Sequence, residues 1–360
     1  MSTASGEPLI SVIIPVRNAA LYLKRCLAGL ADSSFTDFEV VVVDDGSTDS
    51  TRSIAQRFGV VLLSMGKSSG PAAARNVGAK KARGEILLFV DADVVLHSDT
   101  LELVAGAFRR DPQLAALFGS YDDKPAWNNL ISQYKNLMHH YIHQISNSNA
   151  TTFWTGLGAI RKSVFIGMGG FDEKRYRRPS IEDIELGYRL RRANHKIVLE
   201  KRLQGKHLKK WTLLSLLDAD ILCRAIPWAK LILETKSLPK DLNLQQTHRV
   251  SAFLVGLLVL MPSVFLLPPH TFGMLGGWLL FPLGVLVLLV TLLLLNRHEY
   301  QFFLQRKGWA FTSVAVGLHF LYYFYSGVVF VLCWIVFQAR VWTHAFLLAT
   351  RMRGGTPAER

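Results

Sequence analysis

The chain has 360 residues, half of them apolar, with a formal net charge of +14 and three cysteines. Cys26, Cys223 and Cys333 are too far apart to form a metal or redox motif. The positive charge is concentrated in residues 196–249, directly before long apolar segments, which favours a membrane surface as partner and argues against nucleic acid. The stretch MSTASGEPLI lacks the basic and apolar regions of a signal peptide, so we expect the first domain to stay in the cytosol.

Residues 1–210 alternate short apolar runs with segments of helical periodicity. The pattern predicts strands at 9–14, 38–43, 60–63 and 85–90, and helices at 18–31, 49–58 and 70–83. Continuous apolar strands that alternate with helices are typical of an α/β domain whose mostly parallel sheet is covered on both faces. Ligands of such sheets bind beyond the carboxyl ends of the strands.

Acidic side chains follow two of these strands. Asp44 and Asp45 follow the second strand, and Asp91 and Asp93 end the fourth, in the stretch LLFVDADVVL. Four carboxylates at one edge of a sheet would repel each other, and a divalent cation together with a ligand's N–H and hydroxyl groups would relieve that repulsion. The chain has neither a P-loop nor a GxGxxG motif after a strand, so a bound nucleotide would be held by the metal and by side chains.

Longer motifs lie in order along residues 9–192, and they read SVIIPVRNAALYLKRCL, FEVVVVDDGSTDST, GPAAARNVGAKKARGEILLFVDAD, GLGAIRKSVFIGMGGFDE and IEDIELGYRL. Together they resemble family 2 glycosyltransferases with the GT-A fold, a Rossmann-like α/β domain that binds nucleotide sugars. The resemblance implies an inverting, metal-dependent transfer of a sugar from a UDP- or GDP-sugar. The apolar segments that follow resemble the membrane-anchored, non-processive members, whose acceptors are lipid-linked and serve cell-envelope glycans or glycolipids.

The resemblance also implies individual roles in nucleotide binding. Asp44 and Asp45 would hold the base and ribose beside Pro15, although DGSTD is also a good turn and helix cap by itself. Arg75 would lie near the nucleotide. Lys67 would reach a phosphate or remain a solvated lysine.

The implied metal is Mg²⁺ or Mn²⁺. Asp93 would be a ligand, and Asp91 would bind either the metal or the ribose. His207 matches a histidine that completes the metal site in many family members, whereas the alternative is a surface histidine in a basic stretch.

Glu182 and Asp183 open a predicted helix, where the helix dipole also favours carboxylates for purely structural reasons. The resemblance implies that Asp183 is the catalytic base, with Glu182 beside it. If the acceptor is already a phosphate, little deprotonation is needed, and Asp183 would mainly position the acceptor.

The donor-sugar and acceptor region is expected around TFWTGLGAI and GKHLKKWT. Gly156 leaves room for a sugar, and Trp154 would form either a wall of that pocket or part of the core. Lys209 and Lys210 would meet the diphosphate or anionic headgroups, and Trp211 is expected in the same acceptor and donor-sugar region. The segment KHLKKW lacks the Gln and Arg of the Q-x-x-R-W motif of processive polysaccharide synthases, which argues against such an enzyme.

A helical period over residues 127–150 clusters His139, His140 and His143. A zinc site and a polar face near the acceptor or membrane both fit this cluster. The lack of acidic neighbours favours the polar face.

Beyond residue 210 the pattern predicts a membrane-associated helical region. It comprises amphipathic interfacial helices at 211–249, broken at Pro227, then transmembrane helices within 250–338 (spans 250–267, 273–295 and 311–337) and a basic tail at 339–360. The basic connection before the third span favours the cytosolic side, which orients the first domain toward the cytosol at the inner membrane. Three spans would leave the arginine-rich tail outside, so the topology of the last segment stays open.

The sequence therefore predicts a membrane-anchored glycosyltransferase with a lipid-linked acceptor. A polyprenyl-phosphate hexosyltransferase is the alternative within this class, and a metal-dependent nucleotidyl or phosphoryl transferase is the alternative outside it. A membrane scaffold without activity is disfavoured because the DAD and ED motifs are both intact. Neither the sugar nor the base nor the acceptor follows from the sequence.

Overall fold

A computed structural model describes residues 6–238, 242–266 and 274–353. The chain divides into two compact units. Residues 1–216 with 241–243 form the first, an α/β unit, and residues 217–240 with 244–360 form the second, a helical unit. Each unit is described by itself below.

The α/β unit is built on one sheet of eight strands. The strands are β1 Ile10–Val16, β2 Phe38–Asp44, β3 Val61–Ser64, β4 Ile86–Val90, β5 Val94–Leu96, β6 Leu114–Tyr121, β7 Leu157–Arg161 and β8 Lys196–His207. Their order is β3-β2-β1-β4-β7-β6-β8-β5. Strands β3, β2, β1 and β4 pair in parallel, β7 is antiparallel to both neighbours, and β5 is antiparallel to β8. The α/β sheet expected from the sequence is confirmed, with β1–β4 within two residues of the predicted strands.

Helices cover this sheet. They are α1 Ala20–Ala31, α2 Thr51–Arg57, α3 Pro71–Lys81, α4 Thr100–Arg110, α5 Leu130–Ile145, α6 Lys162–Gly167 and α7 Glu182–Arg192. Every residue of β4, ILLFV, is buried, because helices pack on both faces of a central parallel strand. Burying each large aliphatic or aromatic side chain of this kind contributes about 1.5–3 kcal/mol relative to leaving it in water.

Two strand pairings position the candidate site. The antiparallel pair β4–β7 places Leu157 opposite Val90, so the loop before β7 adjoins the aspartates that follow β4. The antiparallel pair β5–β8 places His207 opposite Val94, and therefore next to Asp93. The sequence did not indicate either antiparallel pairing.

The helical unit follows α8 Leu213–Asp220, within which the unit boundary falls. Its further helices are α9 Ile226–Thr235, α10 Gln246–Leu260, α11 Met274–Leu295 and α12 Arg297–Arg353. A widened π turn, Ile221–Ala225, precedes α9, and Pro227 lies in the first turn of α9, where its missing N–H is tolerated. Helix α12 is interrupted at Gly308, whose φ of 76° is not helical.

The predicted membrane spans fall on these helices. Residues 250–266 lie in α10 and a following 3₁₀ turn, 274–295 form α11, and 311–337 lie within α12; residues 267 and 273 and the end of the tail, 354–360, are outside the described residues. By length and composition, one helix in the described part of the chain, Arg297–Val341, is apolar enough to cross a membrane, and Leu280–Leu295 is apolar but shorter.

Candidate active site

Arg75 of α3 joins the end of β4 to the start of α7. Its buried guanidinium donates from Nη1 to Oε1 of Glu182 and from Nη2 to Oδ1 of Asp91, each at 2.7 Å. Burial raises the pKa of Glu182, and the positive charge of Arg75 opposes that shift. Arg75 and Glu182 are 107 positions apart in the sequence. This bridge therefore fixes the DAD and ED segments against each other.

Three carboxylates lie close enough to interact at this edge of the sheet. Burial raises the pKa of Asp91, and the charges of Asp93 and Asp183 raise it further against the attraction of Arg75. Like charges at short range favour protonation or a bound cation. Of the four strand-end carboxylates that the sequence singled out, Asp91 thus interacts both with Asp93 and with Asp183 of α7.

Asp93 is paired with His207. The Nε2 atom of His207 lies 3.6 Å from Oδ2 of Asp93, and the backbone N–H of Leu208 donates to the carbonyl of Asp93 at 2.8 Å. Burial alone would raise the pKa of Asp93, but the imidazole of His207 and the ammonium of Lys209 lower it. Asp93 is therefore ionised at neutral pH, beside an imidazole nitrogen.

The pair Asp93–His207 fits a divalent cation. Adjacent ligand atoms of a Mg²⁺- or Mn²⁺-sized ion are roughly 3 Å apart, because metal–ligand bonds are about 2.1 Å. The observed distance of 3.6 Å between Nε2 of His207 and Oδ2 of Asp93 is slightly wider than this. The side chain of Asp93 is 23% exposed, so its carboxylate is accessible to an ion from solvent.

A row of stacked rings supports His207. Its imidazole lies on Tyr121 with ring centroids 4.0 Å apart and planes inclined by 5°. Tyr121 in turn contacts His139 at 4.4 Å, and His139 stacks on His143 at 4.0 Å. Trp154 packs against Tyr121 at 4.9 Å and His139 at 4.6 Å. The row restricts the rotation of His207 and places Trp154 half-buried beside it.

His140 and His143 are bound to strand β6. Their Nδ1 atoms lie 2.8 Å from the carbonyl oxygen of Tyr121 and 2.9 Å from that of Gly119, so each Nδ1 carries the proton and donates. Burial lowers the pKa of His143 to about 4, which keeps this imidazole neutral. These contacts give the two histidines a structural role on α5.

Asp183 is held in the first turn of α7. Its Oδ2 accepts from the backbone N–H of Thr155 at 3.0 Å and from the Thr155 hydroxyl at 3.1 Å, and its Oδ1 accepts from the N–H of Ile184 at 2.8 Å. The residue is 9% exposed. The three donors fix the direction of the carboxylate, which suits a base that has to meet a substrate proton at a defined position.

Asp44 and Asp45 both stabilise the turn after β2. Asp44 is fully buried, and its carboxylate accepts from the N–H of Ser47 at 3.0 Å and from Nε of Arg52 at 2.5 Å. Burial would raise the pKa of Asp44, but the hydrogen bonds from Ser47 and Arg52 lower it. Asp45 accepts from Ser68 and the backbone N–H groups of residues 69–70, ahead of α3. Turn and cap chemistry accounts for these contacts, and direct contact with a base or ribose stays a prediction.

The remaining predicted residues lie on three segments. Pro15 is half-buried on β1, paired with Val43, and Lys67 is exposed in the loop before α3. The ammonium of Lys209 lies 4.0 Å from the ring centroid of the buried Trp211.

Lys210 lies over the Trp127 ring at 5.0 Å. A Cβ on Gly156 would come within 2.2 Å of Cζ2 of Trp154. The glycine thus provides space for the tryptophan ring rather than open space for a sugar.

The sequence reasoning missed Thr155, Tyr121 and Arg52. Tyr121 ends strand β6, so the rule that ligand groups follow strand ends could have found it. Arg52 and Thr155 carry no such signal, because their partners are set by turn geometry and by a distant helix.

The α/β unit is similar in sequence to known glycosyltransferases. Residues 11–169 match the family model Glycosyl transferase family 2. An uncharacterized glycosyltransferase of Haemophilus influenzae is 39% identical over 100 residues, which are 26% of this chain and 40% of the relative. Poly(ribitol-phosphate) beta-N-acetylglucosaminyltransferase TarS of Staphylococcus aureus is 43% identical over 99 residues, 26% of this chain and 17% of TarS. The chain thus spans less than half the length of these two relatives.

Solved structures of glycosyltransferases are similar as well. The mannosyltransferase PcManGT from Pyrobaculum calidifontis, in complex with GDP-Man and Mn²⁺, aligns with a TM-score of 0.48 and 17% identity over 90% of this chain and 87% of its own. Residues 1–349 of S. aureus TarS align with a TM-score of 0.43 and 24% identity over 54% of this chain and 59% of that chain. Residues 11–169 of the α/β unit are thus similar to glycosyl transferase family 2, and the curated relatives that match this part of the chain are glycosyltransferases.

Proposed function

We propose that the α/β unit transfers a sugar from a nucleotide-diphosphate sugar, with inversion at the anomeric carbon, to a lipid-linked acceptor. The observation that carries this proposal is the convergence of Asp91, Asp93 and Asp183 at one edge of the sheet, with Arg75 bridging two of the segments. The match of residues 11–169 to the glycosyl transferase family 2 model supports the choice of sugar transfer over nucleotidyl or phosphoryl transfer with the same carboxylates.

A divalent cation, Mg²⁺ or Mn²⁺, would be held by Asp93 and His207 together with the diphosphate of the donor. When bound, it would neutralise the charge that develops on the departing nucleoside diphosphate. The chain contributes an ionised carboxylate at Asp93 and an imidazole kept in place by the stack on Tyr121.

Asp183 would act on the acceptor. Its carboxylate takes the proton of an acceptor hydroxyl while that oxygen forms the new bond to the anomeric carbon from the face opposite the diphosphate. The bond from the anomeric carbon to the diphosphate oxygen breaks in the same step, and the electron pair leaves with the nucleoside diphosphate. With a phosphate acceptor, Asp183 would instead orient it, which is the polyprenyl-phosphate variant of the proposal.

The helical unit supports a membrane-bound acceptor. The helix Arg297–Val341 has the length and composition of a membrane span, and basic residues are dense in 196–249. We therefore place the catalytic unit at the cytosolic face of the membrane, where a lipid headgroup is within reach.

The experiment is sugar transfer by the full chain from a panel of UDP- and GDP-sugars into lipid extract, with Mn²⁺, Mg²⁺ or chelator. Asp93→Ala and Asp183→Asn are compared with Asp32→Asn, which removes a carboxylate from the exposed end of α1. Metal-dependent label in the lipid fraction, lost in the first two variants and kept in the third, supports the proposal. Transfer of phosphate or nucleotide without sugar would replace it with the alternative enzyme class.

A further inference from the structure

A second cluster of metal-ligating side chains lies inside the helical unit. His248 of α10 and Glu299 and His319 of α12 are all buried, and one ligand atom from each lies within 4.8 Å of the other two. The Nε2 atom of His319 is 3.7 Å from Oε2 of Glu299. The motifs of the sequence do not include these residues.

The break at Gly308 creates this cluster. At 1.5 Å per residue, Glu299 and His319 would be roughly 30 Å apart in one continuous helix. The left-handed φ of 76° at Gly308, which favours glycine, separates α12 into two helical pieces, and the two side chains meet instead. The cluster therefore joins three helical segments: α10 and the parts of α12 before and after residue 308.

The hydrogen bonds around His248 fix its tautomer. The hydroxyl of Tyr323 donates to Oδ1 of Asn296 at 2.8 Å, so it accepts the second contact, 2.8 Å from Nδ1 of His248. Asn296 is oriented in turn by donating from Nδ2 to Ser251 at 3.0 Å. Nδ1 of His248 therefore carries the proton, and Nε2 presents a lone pair.

Several atoms of the cluster are buried without a hydrogen-bond partner among the described residues. They are Nε2 of His248, Oε1 of Glu299 and both ring nitrogens of His319. Leaving a buried polar atom unpaired costs about 1–3 kcal/mol, so three residues that carry such atoms and each bring one ligand atom within 4.8 Å of the other two call for a ligand.

We propose that His248, Glu299 and His319 bind a divalent transition-metal ion, with zinc as the best fit. Two imidazoles and one carboxylate are a ligand set that Zn²⁺ uses, and the Tyr323–Asn296 chain is the kind of outer support that holds a metal-binding imidazole in place. Ligand atoms around tetrahedral zinc are about 3.4 Å apart, given bonds of about 2.1 Å. The observed 3.7 Å between His319 and Glu299 is close to this, and the wider separations close on binding.

The ion would fasten the helical segments together, a role independent of sugar transfer. Zinc suits this position because its charge compensates the carboxylate of Glu299, which has no ion partner but His319 in the described part of the chain. The cation site proposed for the α/β unit, Asp93 with His207, has a different ligand set, and the Asp93 side chain is 23% exposed.

The test uses full-length protein in detergent, carrying Asp93→Ala so that the α/β unit contributes no metal. After chelation and dialysis against ZnCl₂, metal content is measured by mass spectrometry, and CoCl₂ replaces zinc for visible absorption. We expect about one Zn²⁺ per chain, and a cobalt spectrum of low-symmetry nitrogen and oxygen coordination. His319→Ala and His248→Ala should remove the bound ion, whereas His298→Ala, an exposed neighbour of Glu299, should not.

Tyr323→Phe keeps all three ligands and removes the hydroxyl that accepts from Nδ1 of His248 and donates to Oδ1 of Asn296. We expect it to weaken zinc binding 10- to 100-fold and to lower the thermal stabilisation that zinc gives the full chain. Zinc content below a tenth of an equivalent in the parent, or binding that His319→Ala leaves unchanged, would overturn the proposal. If the alanine variants do not fold, the cobalt spectrum of the parent decides, and its absence rejects the site.

Discussion

Arg75 and Glu182 form a buried ion pair, with Nη1 and Oε1 2.7 Å apart and both side chains 5% exposed. The pair connects the helix after β3 to the helix that carries Asp183. It divides the two adjacent acidic residues into different roles: Glu182 is committed to Arg75, while Asp183 is held by Thr155 and Ile184. We therefore assign Glu182 to positioning, and the direct role proposed for α7 rests on Asp183.

Glu182→Gln and Asp183→Asn should separate stability from activity. Removing one partner of a buried ion pair costs about 3–5 kcal/mol, and Glu182→Gln should approach the lower end because Asp91 still pairs with Arg75. Thermal unfolding should show a clear loss of stability for Glu182→Gln and a smaller loss for Asp183→Asn. The rate of sugar transfer should fall more in Asp183→Asn than in Glu182→Gln. If the rate of sugar transfer fell more in Glu182→Gln than in Asp183→Asn, Glu182 would be the better candidate for the base.

His207→Ala should weaken metal activation. The imidazole supplies one of the two protein atoms that we assign to the cation, so the Mn²⁺ concentration for half-maximal transfer should rise about tenfold or more. A titration of activity with Mn²⁺ measures this, with His195→Ala, in the turn between α7 and β8, as the control. An unchanged Mn²⁺ requirement would leave His207 with the alternative role of a histidine in a basic stretch.

Gly156→Ala should destabilise the fold through a clash with Trp154. The new Cβ would lie 2.2 Å from Cζ2 of the indole, which forces the ring to move at a cost of about 1–3 kcal/mol. Gly167→Ala is the matched control, because a Cβ there meets nothing within 4 Å. In a double-mutant cycle, Gly156→Ala should cost much less stability when Trp154 is replaced by Leu. An equal loss of stability with Trp154 and with Leu at this position would show that the new Cβ clashes with another group.

Glu39 should contribute stability that depends on pH. Burial would raise its pKa, but hydrogen bonds from Ser11 and from the backbone and side chain of Arg83 lower it below the ordinary value of 4.5. A carboxyl group whose pKa is lower in the folded state than in the unfolded state stabilises the fold at pH values above its unfolded-state pKa. This stabilisation is lost as the pH falls through the folded-state pKa. Glu39→Gln should therefore destabilise the chain at pH 7.

The difference between Glu39→Gln and the parent should shrink as the pH falls below about 4.5, which urea unfolding at a series of pH values measures. Sugar transfer at neutral pH should stay intact in this variant. A difference that is constant with pH would mean that packing, not ionisation, makes the contribution of Glu39.

Local patterns predicted the first four strands and the position of Asp91 and Asp93 at the end of the fourth, because apolar runs and the strand-end rule are short-range properties. The partners of these side chains could not be predicted in the same way. Arg75 and Glu182 meet across 107 positions, and His248, Glu299 and His319 have no spacing that a metal motif would show. The ring stack on Tyr121 likewise depends on the β6–β8 pairing, which places Tyr121 opposite Gly205 and so close to His207.

For Asp44 and Asp45 the sequence predicted two roles and could not choose between them. The sequence offered nucleotide contact and turn formation as two readings of DDGSTD, and both carboxylates here accept hydrogen bonds from their own turn and from the loop before α3. Side chains that stabilise a turn can still contact a ligand. The hydrogen bonds therefore explain the turn, and nucleotide contact by the same residues stays a prediction of the resemblance.

The anomeric configuration of the product tests most directly whether the sugar is transferred by a single displacement. The full chain is incubated with the α-linked nucleotide sugar that the donor panel identifies, lipid extract and Mn²⁺, and the anomeric configuration of the transferred sugar is read by NMR. We expect a β-linked product from the parent, and at least a hundredfold less of it from Asp183→Asn. An α-linked product, or transfer that Asp183→Asn leaves intact, would contradict single displacement with Asp183 at the acceptor.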